Sequence, residues 1–288
     1  MVSLPERRRA VTYLKNEYTV SERRACATLS IHRSSYRHQG SSQVDDVYRE
    51  VVRLSHRYSC WGYRKIYDLI DRERYPVGRE RVRLIRRREG LQVVKKRKKK
   101  KVLGRSTQWV HRAEYPNHVW CYDFVSDRVI DGRTLRCLTV VDEFTREGLT
   151  VHCATSVTSA DVIRVLAELI AQHGRPVCIR SDNGTEFIAA AVKDWLAKHT
   201  IGTHYIDPGS PWQNPFCESF NSIFRTTCLD LWEFESVSES RAVIAQWLDE
   251  YNTIRPHGSL GGRSPAQFIQ EWANAFSTEP ELNQQTLT

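Results

Sequence analysis

The chain has 288 residues, 40% of them hydrophobic, which is enough for two or three domains with cores of their own. No apolar run is long enough to cross a membrane, and the N-terminal MVSLPERRRA lacks the apolar segment of a secretory signal, so a cytoplasmic location without membrane partners is expected. The net charge of +9 is unevenly spread: residues 1–112 carry 30 Lys and Arg against 11 Asp and Glu, whereas residues 113–288 carry 13 against 23, so the first part is matched to polyanionic nucleic acid, while the second holds acidic groups able to bind cations or simply to form a solvated surface.

Residues 1–40 read as two or three short helices. Val11, Leu14 and Tyr18 recur near helical spacing, and Ser21 precedes ERRACATLSI as an N-cap. The run ends in Ser34-Ser35-Tyr36-Arg37, a helix-turn-helix-like layout that puts Arg37 near DNA. Residues 44–93 form a second helical, winged-helix-like unit. Val47, Val51, Leu54 and Tyr58 recur at spacings of three and four; Trp61-Gly62-Tyr63-Arg64 opens another amphipathic helix. A third runs to Gly90, a C-cap, with Val82, Ile85 and Ile70 facing a core and arginines crowding the rest. Arg64 is a candidate DNA contact of this unit. Residues 94–112 are a basic linker: KKRKKKK at 95–101 repels itself and finds its partner in phosphate, which makes Lys98, Lys99 and Lys100 further candidates.

From residue 113 the pattern changes. VWCYDFV and TLRCLTVVDEF are strand-like, with Asp131-Gly132-Arg133 as the hairpin turn between them. LTVHCAT is a third strand. A helix ending at Gly174, the strand PVCIRSD, a helix through DWLAKH, the strand THYIDP and a helix opened by Asn214 as cap and Pro215 as first residue complete residues 113–235. The order β-β-β-α-β-α-β-α predicts an α/β fold, a mixed sheet with helices on both faces, as in RNase H-like cores. Two more helices over 236–276 complete it, and 277–288 is a polar tail.

Three acids stand out. Asp123 interrupts an apolar strand, where a lone carboxylate is costly unless hydrogen bonds or a cation satisfy it. Asp182 ends a strand just before Asn183-Gly184, where α/β folds open their ligand crevices. Glu218 lies one turn into the helix after a Pro-containing loop, and 35 residues separate it from Asp182. Oxygen-only ligands of this kind suit Mg²⁺, and a pair of such ions drives phosphoryl transfer. Singly, each acid has a plainer reading as a turn or helix-end residue. Glu186, Asp142 and Asp207 are read that way, as helix-dipole and turn residues. The eight cysteines form no C-x-x-C pair and read as small buried hydrophobes, not zinc ligands.

Taken together, WCYDF, IRSDNGTEF, SPWQNPFCESFN and YNTIRPHGSLGGRSPAQF, in this order, resemble the corresponding segments of OrfB-type insertion-sequence transposases with a retroviral-integrase-like core. SERRACATLSIHRSSYR and Trp61-Gly62-Tyr63-Arg64 fit the same likeness, which spans about residues 5–275. It implies that Asp123, Asp182 and Glu218 are a catalytic, metal-binding triad. The metal would be Mg²⁺, with Mn²⁺ able to substitute. Arg225 would be a contact to the DNA end, and its i, i+7 spacing puts it on the face of Glu218. Asn183 and Gly184 would shape the turn at Asp182, and Asn214 and Pro215 the angle of the Glu218 helix. The implied reaction is strand cleavage at the element's end followed by strand transfer into target DNA, by a homo-oligomer, with an upstream OrfA-type protein as partner or fusion. The sequence departs from the family at Ser222 and Ile223, where Gly and a basic residue are frequent, and it lacks the two-His, two-Cys zinc unit of viral integrases. A DNA-binding regulator with an inactive core and an RNase H-like nuclease or resolvase remain the alternative readings.

Overall fold

A computed structural model describes residues 4–37, 42–93, 112–181, 190–205 and 214–277. Asp182, Asn183, Gly184, Glu186, Asp207 and Lys98–Lys100 lie outside them. The chain divides into two compact units, residues 1–57 with 70–91 and residues 58–69 with 92–288.

In the first unit, α1 (Leu4–Tyr18), α2 (Glu22–Thr28) and α3 (Arg33–Arg37) enclose a small core of Val11, Ala25, Cys26 and Ile31. Ser21 caps α2 as its sequence predicts, its hydroxyl accepting from Arg24 N–H. α4 (Ser42–Arg57) packs on α6 (Arg79–Arg88), with Val47, Val51, Leu54, Ile70, Val82 and Ile85 buried. Gly90, at φ +68°, takes the left-handed conformation that ends α6. The described residues of 42–93 contain no strand. The helix between α4 and α6, α5 (Tyr63–Leu69), clusters with the second unit, not with its sequence neighbours.

The second unit is built on five strands, β1 (Val119–Arg128), β2 (Thr134–Asp142), β3 (Gly148–Ala154), β4 (Cys178–Ser181) and β5 (Gly202–Tyr205), in the order β3-β2-β1-β4-β5. β1 to β3 pair antiparallel, while β4 and β5 join the other side in parallel. Period-two alternation divides β1 between two cores. Trp120 and Tyr122 face α7 (Ser159–His173) and α8 (Ala190–Lys198). Cys121 and Val125 face α9 (Pro215–Thr227) and α10 (Val237–Thr253). α11 (Pro265–Ser277) closes the unit against α10. This is the RNase H-like mixed sheet with helices on both faces. Thr158 and Asp161 form a reciprocal capping box that starts α7, and Gly174, at φ +88°, ends it.

Candidate active site

Asp123 sits in the middle of β1, paired in register with Thr139 of β2. Its side chain is half-buried on the α9 face and is held at both oxygens. Oδ1 accepts from Phe124 N–H at 2.7 Å, and Oδ2 accepts from Asn221 Nδ2 at 2.8 Å. Thr139 completes the brace. Its hydroxyl lies 2.9 Å from Asn221 Oδ1 and 3.1 Å from the Asp123 carbonyl. The cost expected of an acid within an apolar strand is therefore met by an amide from a helix 98 positions away in sequence.

That helix is α9. Cys217, Phe220 and Phe224 bury one side of it against the sheet, and Thr139 reaches Cys217 Sγ at 3.8 Å. Cys121 and Cys217 also touch, and burial with this contact pushes the Cys121 thiol well above its ordinary range. The pair locks β1 to α9 at positions adjoining Asp123 and Glu218. Glu218 lies at the edge of the buried stripe, exposed, in line with Asn221 and Arg225 at i+3 and i+7. Arg225 is exposed and gives one N–H of its guanidinium to the Ser126 carbonyl of β1 at 2.9 Å. Asn221 thus ties the Asp123 carboxylate to α9, the helix that carries Glu218 one turn earlier. β4 runs parallel to β1 through Cys121↔Arg180 and is described to Ser181, one residue before Asp182.

Asn221 and Thr139 were not singled out in the sequence. Asn221 carries a signal that could have found it: an amide three residues after Glu218 projects from the same helix face. A second feature is harder to see. Arg180, the residue before Ser181, forms a 2.7 Å ion pair with Glu143, and both are almost wholly buried on the α9 face. Burial raises the Glu143 carboxyl to about 7, with Arg180 acting in the opposite direction. At 2.7 Å from a buried guanidinium we assign the charged form to Glu143 near neutral pH. Asp142 has the turn role read from its sequence, accepting the N–H groups of Asn117, Phe144 and Thr145.

Asn214 is a correction in detail. It occupies the cap position of α9 with Pro215 in the first turn, but its side chain makes no capping bond and Oδ1 is buried without a partner. Its φ of −124° and ψ of 53° depart from the extended backbone that swings a cap side chain over the first turn. The main-chain carbonyl of Asn214 instead receives Glu218 N–H at 3.1 Å. Of the expected DNA contacts, Arg37 pairs with Glu22 at 2.8 Å and keeps its side chain 60% exposed. Arg64 is exposed and lies along the Tyr63 ring, in the second unit.

The late motif has a structural explanation as well. Asn252 clamps Gly148 through both backbone groups, Gly148 N–H to Oδ1 and Nδ2 to Gly148 carbonyl, each at 2.9 Å. His257 N–H bonds Arg263 carbonyl, and Gly262 N–H bonds His257 carbonyl, closing the loop between α10 and α11 on itself. Ser264 and Gln267 cap α11 reciprocally. All eight cysteines are free, six of them buried.

Residues 113–211 and 199–265 match two models of an integrase core domain, and residues 43–99 match an HTH-like domain. An uncharacterized 39.2 kDa protein of insertion element IS476 from Xanthomonas euvesicatoria is 36% identical over 97% of this chain and 83% of its own. An uncharacterized 31.7 kDa protein of insertion element IS407 from Burkholderia multivorans is 33% identical over 88% and 92%. The transposase InsF of insertion sequence IS3A from Escherichia coli is 25% identical over 82% and 85%. Among solved structures, the HTLV-2 integrase catalytic core in complex with magnesium is 20% identical, covering 55% of this chain and 99% of that one at a TM-score of 0.43. With an integrase core behind an HTH-like region and full-length likeness to insertion-element proteins, the chain belongs to the insertion-element transposases, enzymes of polynucleotidyl transfer.

Proposed function

We propose that Asp123, Asp182 and Glu218 are the carboxylates of a divalent-metal site at which this transposase cuts a strand at the end of its element and joins the freed 3′-OH to target DNA. The observation that supports this reading is the Asn221 bridge, which joins the Asp123 carboxylate to α9, the helix that carries Glu218. The donor chemistry fits. Both described acids offer oxygen ligands, and the Asp123 carboxylate is held at both oxygens. Mg²⁺ is the proposed ion, with Mn²⁺ able to replace it. When bound, such ions supply charge neutralisation at the phosphoryl oxygens and acidify the attacking hydroxyl.

The chain's own residues have separate tasks. Asn221 and Phe124 N–H hold the Asp123 carboxylate in one orientation, so it need not reorganise during reaction. Arg225, exposed and bonded through one N–H to the Ser126 carbonyl, would give its remaining N–H groups to a DNA phosphate. Arg37, Arg64 and Lys98–Lys100 would add phosphate contacts, while Asn183 and Gly184 are proposed only as supporting residues beside Asp182. In cleavage, a water oxygen bonds phosphorus and the 3′-oxygen leaves with a proton. In joining, that 3′-oxygen attacks a target phosphodiester and a target 3′-oxygen leaves, so one ester is exchanged for another. Joining two element ends calls for at least a dimer, and an upstream OrfA-type protein is the proposed partner for end recognition.

Asp182→Ala is the direct test. Metal-dependent joining of a labelled element end to plasmid should disappear, while binding to the same DNA persists. Full joining activity in that variant would sink the triad, and products that are cut but never joined by the native chain would favour the nuclease reading.

A further inference from the structure

Two motifs far apart in sequence meet in the second unit: Trp61-Gly62-Tyr63-Arg64-Lys65, entering α5, and Arg255-Pro256-His257, after α10. Trp61 stacks on Tyr58 with ring centroids 4.1 Å apart, and the Arg255 guanidinium lies 5.3 Å from the Trp61 ring centre. Arg255 is 6% exposed and His257 8% exposed. Each keeps a buried nitrogen without a hydrogen-bond partner, Nε of Arg255 and Nε2 of His257. The other ring nitrogen of His257 is engaged with the Tyr251 backbone. Lys65 is half-buried and opens the cluster to the surface.

These three basic groups act on one another electrostatically, and no carboxylate is paired with any of them among the described residues. Arg146, the next cation, is stacked on Phe216 at 3.7 Å and adds to the positive field. The nearby Asp68 carboxyl lies against Gly262. Burial lowers Lys65 to about 8 and His257 to about 3, with Arg255 adding to both shifts. A half-buried lysine that interacts with a buried arginine and a buried histidine, with no carboxylate paired to any of them, is unfavourable unless an anion supplies the missing charge.

We propose that Lys65, Arg255 and His257 form an anion site that takes a backbone phosphate of bound DNA. The guanidinium and ammonium groups would bond the non-bridging oxygens. His257 would protonate as the phosphate arrives and turn Nε2 from an unpartnered acceptor into a donor. The site rests on the reading that this chain works on DNA, but none of its three residues is one of the carboxylates. It also gives a function to the RPH segment and to the WGYRK segment that neither the triad nor the helix-turn-helix supplies.

The test uses the full-length chain carrying Asp182→Ala, so that binding is read without chemistry and the result stands whether or not the triad reading holds. Duplex DNA is titrated by fluorescence anisotropy across a NaCl series, with and without Lys65→Gln, and with Arg255→Gln if that variant melts normally. Lys65→Gln should weaken binding about fivefold at 0.15 M salt and lower the log–log salt slope by about 0.9, the increment of one B-DNA phosphate. In parallel, sodium phosphate should raise the melting temperature over NaCl of equal ionic strength, and Lys65→Gln should remove that rise. If Lys65→Gln abolishes the phosphate effect but leaves the DNA slope unchanged, the site takes free phosphate and the DNA assignment is overturned. If neither changes in a normally melting variant, the cluster only packs and the proposal falls.

Discussion

Asn221 is the residue whose role the fold makes plain and whose sequence position barely announces it. Its amide donates to Asp123 and accepts from Thr139, so it can be neither reversed nor shortened without loss. Asn221→Ala should leave folding nearly intact, at a cost of about 1 kcal/mol for the lost hydrogen bonds. Strand transfer should fall about 10- to 100-fold, as is typical when a group orienting a metal ligand is removed, and part of the loss should return at high Mg²⁺. Joining rates measured across a metal titration check this, and an unchanged metal dependence would reduce Asn221 to a packing residue. His257 gives a pH prediction at the same scale. Its folded value is depressed to about 3 from an ordinary 6.5. As pH falls below 6.5, the unfolded chain takes up a proton that the folded chain refuses, so His257 costs the native state stability progressively between 6.5 and 3. Glu147, raised to about 7 by burial, works in the opposite direction as pH falls from 7 towards 4.5. The difference in melting temperature between the native chain and His257→Gln, followed from pH 7 to pH 4 in the absence of phosphate, isolates the histidine. That difference should move steadily against the native chain, and a constant one would refute the depressed value.

At the scale of elements, β3, α9 and α10 meet closely at Gly148. A Cβ at Gly148 would lie 2.6 Å from Leu248 Cδ1 and 2.7 Å from Phe220 Cε2. Gly148→Ala should therefore destabilise the protein by about 1–3 kcal/mol through overpacking. Because Phe220 precedes Asn221, the same variant should also slow strand transfer beyond what lost stability explains. Chemical denaturation with joining assays well below the melting temperature separates the two effects, and a variant as stable as the parent would contradict the close approach. The strands and helices around this junction were readable beforehand. VWCYDFV and TLRCLTVV are apolar runs buried on both faces, and Asp131-Gly132-Arg133 turns between them with Gly132 at φ +85°. What sequence periodicity could not supply is which helix face meets which strand. The Asn252 clamp on Gly148 spans 104 positions and the Asn221 bridge spans 98. Such pairings are fixed by tertiary packing, on which local spacing is silent. α5 shows the same limit. Adjacent helical patterns placed it with α4 and α6, whereas the packing of Trp61 against Arg255 draws it to the other unit.

Over the whole molecule, the division of charge sets the problem that binding must solve. Residues 113–288, which hold the integrase core, carry 23 acidic against 13 basic residues, so this part alone repels DNA at long range. The 30 Lys and Arg of residues 1–112 must then provide most of the phosphate neutralisation, and the KKRKKKK run has no other evident chemistry. Replacing Lys98, Lys99 and Lys100 together by Ala should weaken binding to element ends and to unrelated duplex DNA by the same factor, since phosphate contacts carry no base information. If all three lysines meet phosphates, the salt slope should fall by about 2.7, three B-DNA increments. Thermal stability should stay within about 0.5 kcal/mol of the parent, as for surface substitutions that touch no core. Anisotropy titrations on both DNAs at several salt concentrations decide it. A selective loss on element ends would assign the run to sequence readout, and an unchanged slope would remove it from the DNA path and shift delivery of the core to the arginines of α4 and α6.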